Sequence, residues 1–433
     1  MKIYYLAIIS VFLYACSPTG TNGLFKKASP HDQYASNLES AGLHETALGK
    51  EWLSAAVNSL NKPLFIALPY KETGYFPDNK AMATALRFEA KLGSKILISF
   101  TKKPVAGFTV YIDLWEQRAN EKKKLLAYAD SSGNPFEYEI DKKATYVIRL
   151  QPELLSAGEY TLTISTGPSL AFPVRDGKSQ SFWGAVRDNG SRSHEGIDIF
   201  APLRTPALAA ANGIIRHVGL NNLGGKVVFL NPDAKDYSLY YAHLDEQLVQ
   251  EGKVVHLGDT IGLIGNTGNA RGGPTHLHFG IYTQNGAVDP YPFINQTNTK
   301  PALIKGSNDY LGKGMRTTTR TLLYSGPSKS FPELANLPKN TYVEVLAASS
   351  SWYKVLLPDG QEGYLGINNT RSLTESMDNY RLSADHRLLD RPSDSTASKK
   401  LLLRGNTVPV YASFGAYLYV RDEDTAGWIK IKP

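Results

Sequence analysis

The most informative segment of this 433-residue chain is Gly273-Pro274-Thr275-His276-Leu277-His278-Phe279. Side chains two apart in a β-strand point to the same face, so His276 and His278 would share one site while Leu277 enters a core. Imidazole both binds metals and exchanges protons near neutral pH. The segment therefore predicts a strand with one chemically active face.

Two further segments supply the groups that would complete such a site. They are His194-Glu195-Gly196-Ile197-Asp198 and Tyr240-Tyr241-Ala242-His243-Leu244. Gly196 and Pro202 disfavour a helix, which argues against the helical His-Glu-x-x-His zinc motif. In an extended chain His194 and Asp198 share a face and Glu195 points away, so Glu195 is not a candidate base.

Together the three segments offer the donors of a catalytic metal site. Two imidazoles and one carboxylate suit Zn²⁺, and three protein ligands leave a fourth tetrahedral position for water or substrate. The two remaining histidines would then accept and donate protons beside the metal. An open position indicates catalysis rather than a structural role.

The segment from about 182 to 293 resembles the lysostaphin-type zinc peptidoglycan endopeptidases. It contains their His-x-Gly-x-Asp, Tyr-x-His-Leu and His-x-His-Phe motifs in the family's order, and 258–268 follows the family's glycine-rich hairpin. The resemblance covers about a quarter of the chain. It implies an antiparallel-sheet metallopeptidase domain.

The same resemblance implies a zinc-dependent endopeptidase that hydrolyses peptide cross-links or bridges of bacterial peptidoglycan. One Zn²⁺ ion would be bound by His194, Asp198 and His278. The side chains of His243 and His276 would flank the zinc-activated water and the scissile amide. The alternative is a catalytically inert wall-binding scaffold that activates another hydrolase, a role whose members usually lack one or more zinc ligands.

Several residues near the motifs have no assigned role. Arg204 stands where the family often has glycine, a departure that we expect to affect a surface turn. His217 and His256 match no motif and are expected to be packed or exposed. Arg187 and Arg192 precede the first ligand and would either contact a substrate carboxylate or remain solvated.

The N-terminus resembles a bacterial lipoprotein signal. Lys2 precedes a mostly apolar run, 3–15, that is too short to span a bilayer but has the length of an export signal. Cys16 follows directly. The resemblance implies lipidation of Cys16, anchoring to a membrane and a cell-envelope location, facing the periplasm in a bacterium with two membranes. The alternative is a signal peptide or a buried N-terminal helix with an incidental cysteine.

The remaining sequence predicts a mainly β, multidomain protein. Leu48, Trp52, Ala56 and Leu60 are spaced at four residues and indicate a helix, whereas the short alternating runs that follow indicate strands. The predicted units are a signal peptide with the lipidated cysteine at 1–16, a tether with a small N-terminal helical pair at 17–63, an antiparallel β-sandwich at 64–178, a twisted antiparallel-sheet metallopeptidase domain at 181–295, and two small SH3-like barrels at 315–372 and 378–433.

The two C-terminal units repeat each other at offsets of 64 to 66 residues. Trp352-Tyr353-Lys354-Val355 is echoed by Tyr417-Leu418-Tyr419-Val420. The first copy resembles bacterial SH3-like domains, which implies binding of cell-wall peptides; the alternative is that its aromatic residues only fill a small core. These units would bind substrate, or cover the site until a regulatory protein partner moves them.

The charge balance adds one exclusion. The chain has 47 Lys and Arg against 40 Asp and Glu, a net charge of +7. This excess is spread along the chain and accompanies no nucleic-acid-binding motif, so no nucleic-acid partner is expected.

A third function class, a wall-binding adhesin, would bind sacculi in the presence of a chelator and release no fragments.

Overall fold

A computed structural model of the chain describes residues 28–118, 121–130, 135–297 and 299–431. The predicted lipidation site Cys16 and the signal segment lie outside the described residues. The described part is mainly β, as predicted. None of its helices has the length and apolar character needed to cross a membrane.

Two N-terminal helices pack on the outside of the sandwich. The helices of the described residues are α1 (Pro30–Ser40), α2 (Ala47–Asn61) and α3 (Tyr291–Ile294). Ser29 caps α1 by accepting a hydrogen bond from the amide of Asp32 at 3.1 Å. On α2, the buried Trp52 donates from Nε1 to the carbonyl of Pro152 at 2.8 Å. His31 stacks on the same indole, so this histidine is packed rather than catalytic.

Two sheets form the sandwich. Its strands are β1 (Leu64–Phe65), β2 (Tyr70–Phe76), β3 (Thr84–Ala90), β4 (Ser94–Lys103), β5 (Val110–Gln117), β6 (Lys124–Tyr128), β7 (Phe136–Glu139), β8 (Ala144–Pro152) and β9 (Gly158–Pro168). One sheet has the order β1-β3-β8-β5-β6, and the other contains β2-β9-β4-β7. The β1–β3 pair is parallel and the others are antiparallel. Alternate residues of β4, such as Ile96 and Ile98, fill the core between the sheets.

The central part of the chain forms a ten-stranded antiparallel sheet and a short hairpin. Its strands are β10 (Lys178–Ser181), β11 (Val186–Arg187), β12 (Arg192–Ser193), β13 (Ile197–Phe200), β14 (Pro206–Leu208), β15 (Gly213–Asn221), β16 (Gly225–Pro232), β17 (Tyr237–Gln247), β18 (Val254–Val255), β19 (Thr260–Ile264), β20 (His276–Thr283) and β21 (Gly286–Val288). The main path is β10-β13-β20-β17-β16-β15-β18, and among the described strands β11 pairs only with β12. This topology brings the three motif segments side by side.

The C-terminal part repeats one strand pattern twice. The strands are β22 (Gly314–Thr317), β23 (Thr321–Tyr324), β24 (Glu333–Leu337), β25 (Tyr342–Ser349), β26 (Trp352–Leu356), β27 (Glu362–Gly366), β28 (Thr370–Ser372), β29 (Asp378–Arg381), β30 (His386–Leu389), β31 (Ser398–Leu402), β32 (Thr407–Phe414), β33 (Tyr417–Asp422) and β34 (Thr425–Lys430). Strands β30 to β34 begin 63 to 65 residues after β23 to β27. Each repeat has its own small hydrophobic core.

The first SH3-like unit is continuous with the sandwich. Strand β25 pairs with β2, with Thr73 opposite Ala348 and Gly74 opposite Ala347. The pairing makes one eleven-stranded sheet from strands of both units. The predicted separate barrel is therefore attached to the sandwich through β25.

A buried ion pair crosses this junction. Nζ of Lys354 lies 2.9 and 3.0 Å from the two carboxylate oxygens of Glu72, and both residues are at most 1% exposed. Glu72 also accepts hydrogen bonds from the hydroxyls of Tyr70 and Tyr160, at 2.7 and 2.8 Å. Lys354 also donates to Thr84 at 3.2 Å. A buried pair whose bonds are satisfied in this way resists separation of the two units.

Candidate metal centre

The candidate site lies on one face of the neighbouring strands β13, β20 and β17. Asp198 on β13 is directly opposite His278 on β20, and Ala242 on β17 flanks His278 on the other side. Opposed residues of antiparallel strands project from the same face. Ile197 and Leu277 alternate with them and are fully buried in the core on the other face. The predicted alternation of the His-x-His strand is confirmed.

Three donor atoms meet on this face. Nε2 of His194, Oδ1 of Asp198 and Nδ1 of His278 are 3.0 Å apart in each of the three pairs. In the part of the chain that the structure describes, this is the cluster of histidine, cysteine and acidic side chains able to hold a metal ion. These are the three residues predicted as ligands.

The glycine of the His-x-Gly-x-Asp motif makes room for the third donor. A Cβ atom at Gly196 would lie 2.6 Å from Cε1 and Nε2 of His278 and 2.8 Å from the carbonyl oxygen of Phe279. No side chain fits between the two strands at this point. The motif therefore requires glycine because the backbone of one ligand segment lies against the ring of another ligand.

Backbone carbonyls select the tautomers of His194, His243 and His276. A carbonyl can only accept, so Nδ1 of His194 donates to Phe182 at 3.0 Å. By the same argument, Nδ1 of His243 donates to Thr267 at 2.8 Å and Nδ1 of His276 donates to Pro274 at 2.9 Å. Each neutral ring then keeps Nε2 as its free acceptor. For His194, that atom belongs to the donor triangle.

A β-bulge turns His243 toward the site. Tyr241 and Leu244 of β17 both enter the core, with two residues rather than one between them. His243 has the left-handed backbone angle φ = 60°, and the register of β17 against β16 shifts here. Its ring centroid is 4.9 Å from that of His276 and 5.8 Å from that of His278. The two histidines predicted to flank the metal thus lie beside the donor triangle.

The ionisation of the cluster follows from burial and from neighbouring charges. Burial would raise the pKa of Asp198, but the adjacent rings of His194 and His278 outweigh this effect and hold that pKa well below its usual range. Burial and the nearby His276 lower the pKa of His243 to about 4. Burial also lowers the pKa of His278, although Asp198 opposes the effect. These shifts favour an ionised carboxylate at Asp198 and neutral imidazoles at His243 and His278, the forms of these groups that bind metal ions.

One contact at the site was not predicted from the sequence. Arg187, on the short hairpin β11–β12, donates from Nη2 to Oδ2 of Asp198 at 2.7 Å. The sequence placed Arg187 near the first ligand without indicating this contact. The ten residues between the two partners include a left-handed turn at Asn189 and Gly190, and nothing in their spacing indicates which way the hairpin folds.

The remaining candidates lie outside the donor cluster. Glu195 is exposed, as expected for an extended segment. The side chains of His217 and His256 are 54% and 79% exposed. Arg204 has the left-handed angle φ = 63°, a conformation that favours glycine. Its guanidinium pairs with Asp245 and with a second acidic residue at the surface, so the departure affects a turn.

Comparisons with known proteins identify two segments. Residues 192–290 match Peptidase family M23, and residues 321–367 match the Bacterial SH3 domain. Over 135 residues the chain is 35% identical to the L-Ala--D-Glu endopeptidase of Bacillus subtilis (strain 168), which covers 28% of this chain and 41% of that protein. Over 117 residues it is 35% identical to the uncharacterized lipoprotein YgeR of Escherichia coli (strain K12), covering 27% and 44%.

A solved structure is also similar. The catalytic domain of the antimicrobial peptidase lysostaphin from Staphylococcus simulans has 31% identity, covers 28% of this chain and 92% of that chain, and gives a TM-score of 0.26. The chain spans less than half the length of the two curated relatives. The resemblance drawn from the motifs is confirmed: the chain contains a domain of peptidase family M23, followed by a bacterial SH3 domain.

Proposed function

We propose that this protein is a zinc-dependent endopeptidase that hydrolyses peptide cross-links or bridges of bacterial peptidoglycan. One observation carries the proposal: His194, Asp198 and His278 bring three donor atoms within 3.0 Å of each other, beside His243 and His276. The match to peptidase family M23 supports a hydrolase. The name of the relative from Bacillus subtilis supports an endopeptidase.

The donor set fits Zn²⁺. Tetrahedral zinc binds imidazole nitrogen and carboxylate oxygen at about 2.0–2.2 Å, which places neighbouring donors about 3.4 Å apart. The observed separations of 3.0 Å would need to open by only about 0.4 Å. Three protein donors also leave a position for water or substrate, as in catalytic zinc sites. The residues that would hold the ion are His194, Asp198 and His278.

The flanking histidines would carry the protons. Bound zinc would supply a Lewis acid that polarises a carbonyl group and lowers the pKa of water. Nε2 is the free acceptor of both His243 and His276, because each ring donates from Nδ1 to the backbone. With a pKa lowered to about 4, His243 is neutral at neutral pH and ready to accept a proton. The pair would take a proton from the attacking water and return one to the leaving amine.

The completeness of the cluster favours an enzyme over an inert scaffold. A scaffold needs neither the donor triangle nor two histidines beside it. The chain keeps all five side chains, and backbone hydrogen bonds orient both His243 and His276. The wall-binding role of the SH3-like units is compatible with either function.

The test uses the purified protein, its metal content and its action on isolated sacculi. We expect one zinc ion per chain and release of peptide fragments that mass spectrometry identifies. His278→Ala should lose both zinc and hydrolysis, whereas His256→Ala, an exposed histidine outside the cluster, should retain both. Folded wild-type protein without zinc, or unchanged hydrolysis by His278→Ala, would overturn the proposal. Binding to sacculi without fragment release would favour the scaffold.

We also propose a cell-envelope location with a lipid anchor at Cys16, on the side of the membrane that faces peptidoglycan. The lipoprotein name of the relative from Escherichia coli supports this location. Labelled fatty acid should be incorporated into the wild-type protein, and the protein should fractionate with membranes. Cys16→Ser should abolish both results; labelling that survives this change would refute the anchor.

A further inference from the structure

The two oxygens of the Asp198 carboxylate have different partners. Oδ1 lies 3.0 Å from Nε2 of His194 and 3.0 Å from Nδ1 of His278. Oδ2 accepts a hydrogen bond from Nη2 of Arg187 at 2.7 Å. The carboxylate is 9% exposed, so water has little access to compete for these bonds. One oxygen is thus directed at the donor cluster and the other is engaged elsewhere.

Several hydrogen bonds hold Arg187 in place. The same Nη2 atom donates a second hydrogen bond, to Oγ of Ser181 at 2.6 Å. Ser181 on β10 lies opposite Asp198 on β13, so the guanidinium bridges two paired strands. The hairpin that carries Arg187 is held to the first ligand, because the backbone amide of His194 donates to Ala185 at 2.9 Å. Arg187, Ser181 and Asp198 form a connected group behind the donor triangle.

We propose that Arg187 is a positioning residue that keeps Asp198 a ligand through one oxygen only. The proposal rests on the proposed zinc site. A carboxylate that turned both oxygens to the ion would occupy the position that a catalytic zinc site keeps for water or substrate. A partner on Oδ2 prevents this rotation and fixes the orientation of Oδ1, as outer partners of metal ligands do.

The charge of Arg187 has the opposite effect on metal affinity. A guanidinium beside the site repels a divalent cation, so a purely electrostatic role predicts tighter zinc binding when the charge is removed. A positioning role predicts weaker binding, because Asp198 loses its orientation. The sign of the change therefore separates the two roles.

The experiment measures zinc affinity of the full-length protein by competition with a chromogenic chelator. Arg187→Met and Arg187→Ala remove the hydrogen bonds, and both are measured so that a folding defect in one does not decide the result. Arg187→Lys should restore affinity, because a single nitrogen makes both observed bonds. Arg192→Ala is the control for loss of a guanidinium from the paired strand.

We expect Arg187→Met and Arg187→Ala to bind zinc about 10–100-fold more weakly than the wild type. The visible spectrum of the Co²⁺-substituted protein should also change in these variants from a four-coordinate to a higher-coordinate form, and Arg187→Lys should keep the wild-type spectrum. Unchanged or tighter zinc binding by Arg187→Met would overturn the positioning role and leave the proposed function intact. A folded wild type that binds no zinc would overturn both.

Discussion

A single methyl group at position 196 tests the geometry of the proposed zinc site. Gly196→Ala adds a Cβ atom 2.6 Å from Cε1 and Nε2 of the His278 ring. Gly196 is not among the residues with a left-handed backbone, so alanine adds no strain of its own there. Every donor atom remains chemically unchanged. The substitution therefore perturbs the position of the His278 ring without removing a donor atom.

The size of the effect follows from this contact. Ordinary contacts begin at 3.4 Å, so the His278 ring must move by about 0.8 Å from its place at 2.6 Å. The carbonyl oxygen of Phe279, 2.8 Å from the same Cβ, belongs to the backbone of β20 and gives way less easily. Metal–ligand distances tolerate about 0.2 Å, so a displaced ring weakens zinc binding. We expect about a hundredfold loss of hydrolysis, the usual effect of a displacement near 1 Å.

The assay compares zinc affinity and fragment release for Gly196→Ala, Gly167→Ala and the wild type. Gly167 lies on β9 with no atom within 4 Å of an added Cβ, so this control adds the same methyl group in open space. Thermal unfolding of the metal-free proteins checks that each variant remains folded under the assay conditions. Wild-type zinc affinity in Gly196→Ala would refute the argument that glycine makes room for His278.

Three further predictions follow from other contacts. His243→Ala and His276→Ala should each lower the rate of hydrolysis about 10²–10⁴-fold, while metal analysis should still find one zinc ion per chain. Loss of the metal would contradict the proposal that these two histidines are not ligands. Lys354→Met should lower the free energy of unfolding of the joined sandwich and first SH3-like unit by about 3–5 kcal/mol, because Glu72 would stay buried without its partner. Denaturant unfolding measures this change, and substitution of an exposed lysine, Lys339→Met, is the control. Chelation should stop hydrolysis and added zinc should restore it, whereas sacculus binding by the C-terminal units should persist.

Local patterns predicted much of the candidate site. His276 and His278 flank the buried Leu277 on one strand, as alternation requires. The prediction that His194 to Asp198 is an extended segment excluded Glu195 as a candidate base. Such features depend on neighbours within a few residues, where backbone geometry fixes the direction of each side chain. The i+4 spacing that includes Trp52 likewise predicted α2.

Contacts between distant segments were not predictable in this way. The pairing of β2 with β25 uses backbone groups, which every sequence has, so it leaves no signature at either strand. In the sequence, nothing distinguishes Lys354 from a solvated strand residue. Its ion pair with Glu72 is evident only from the fold. The bond from Arg187 to Asp198 is similar, because it depends on how a short hairpin turns back over the sheet.

The same contacts bear on how access to the site could be controlled. A lid made of the SH3-like units would need a hinge with few contacts, but β25 is hydrogen-bonded into the sheet of the sandwich. The central ten-stranded sheet is tied to the sandwich as well, since the amide of Leu170 donates to the carbonyl of Phe293 and the ring of Phe293 packs on Gly93. Opening either junction exposes buried groups. By contrast, among the described strands the hairpin β11–β12 pairs with no third strand. Movement of this hairpin would break the bonds from Arg187 to Asp198 and Ser181 and shift the backbone bond from His194 to Ala185, so it would act directly on the proposed ligands.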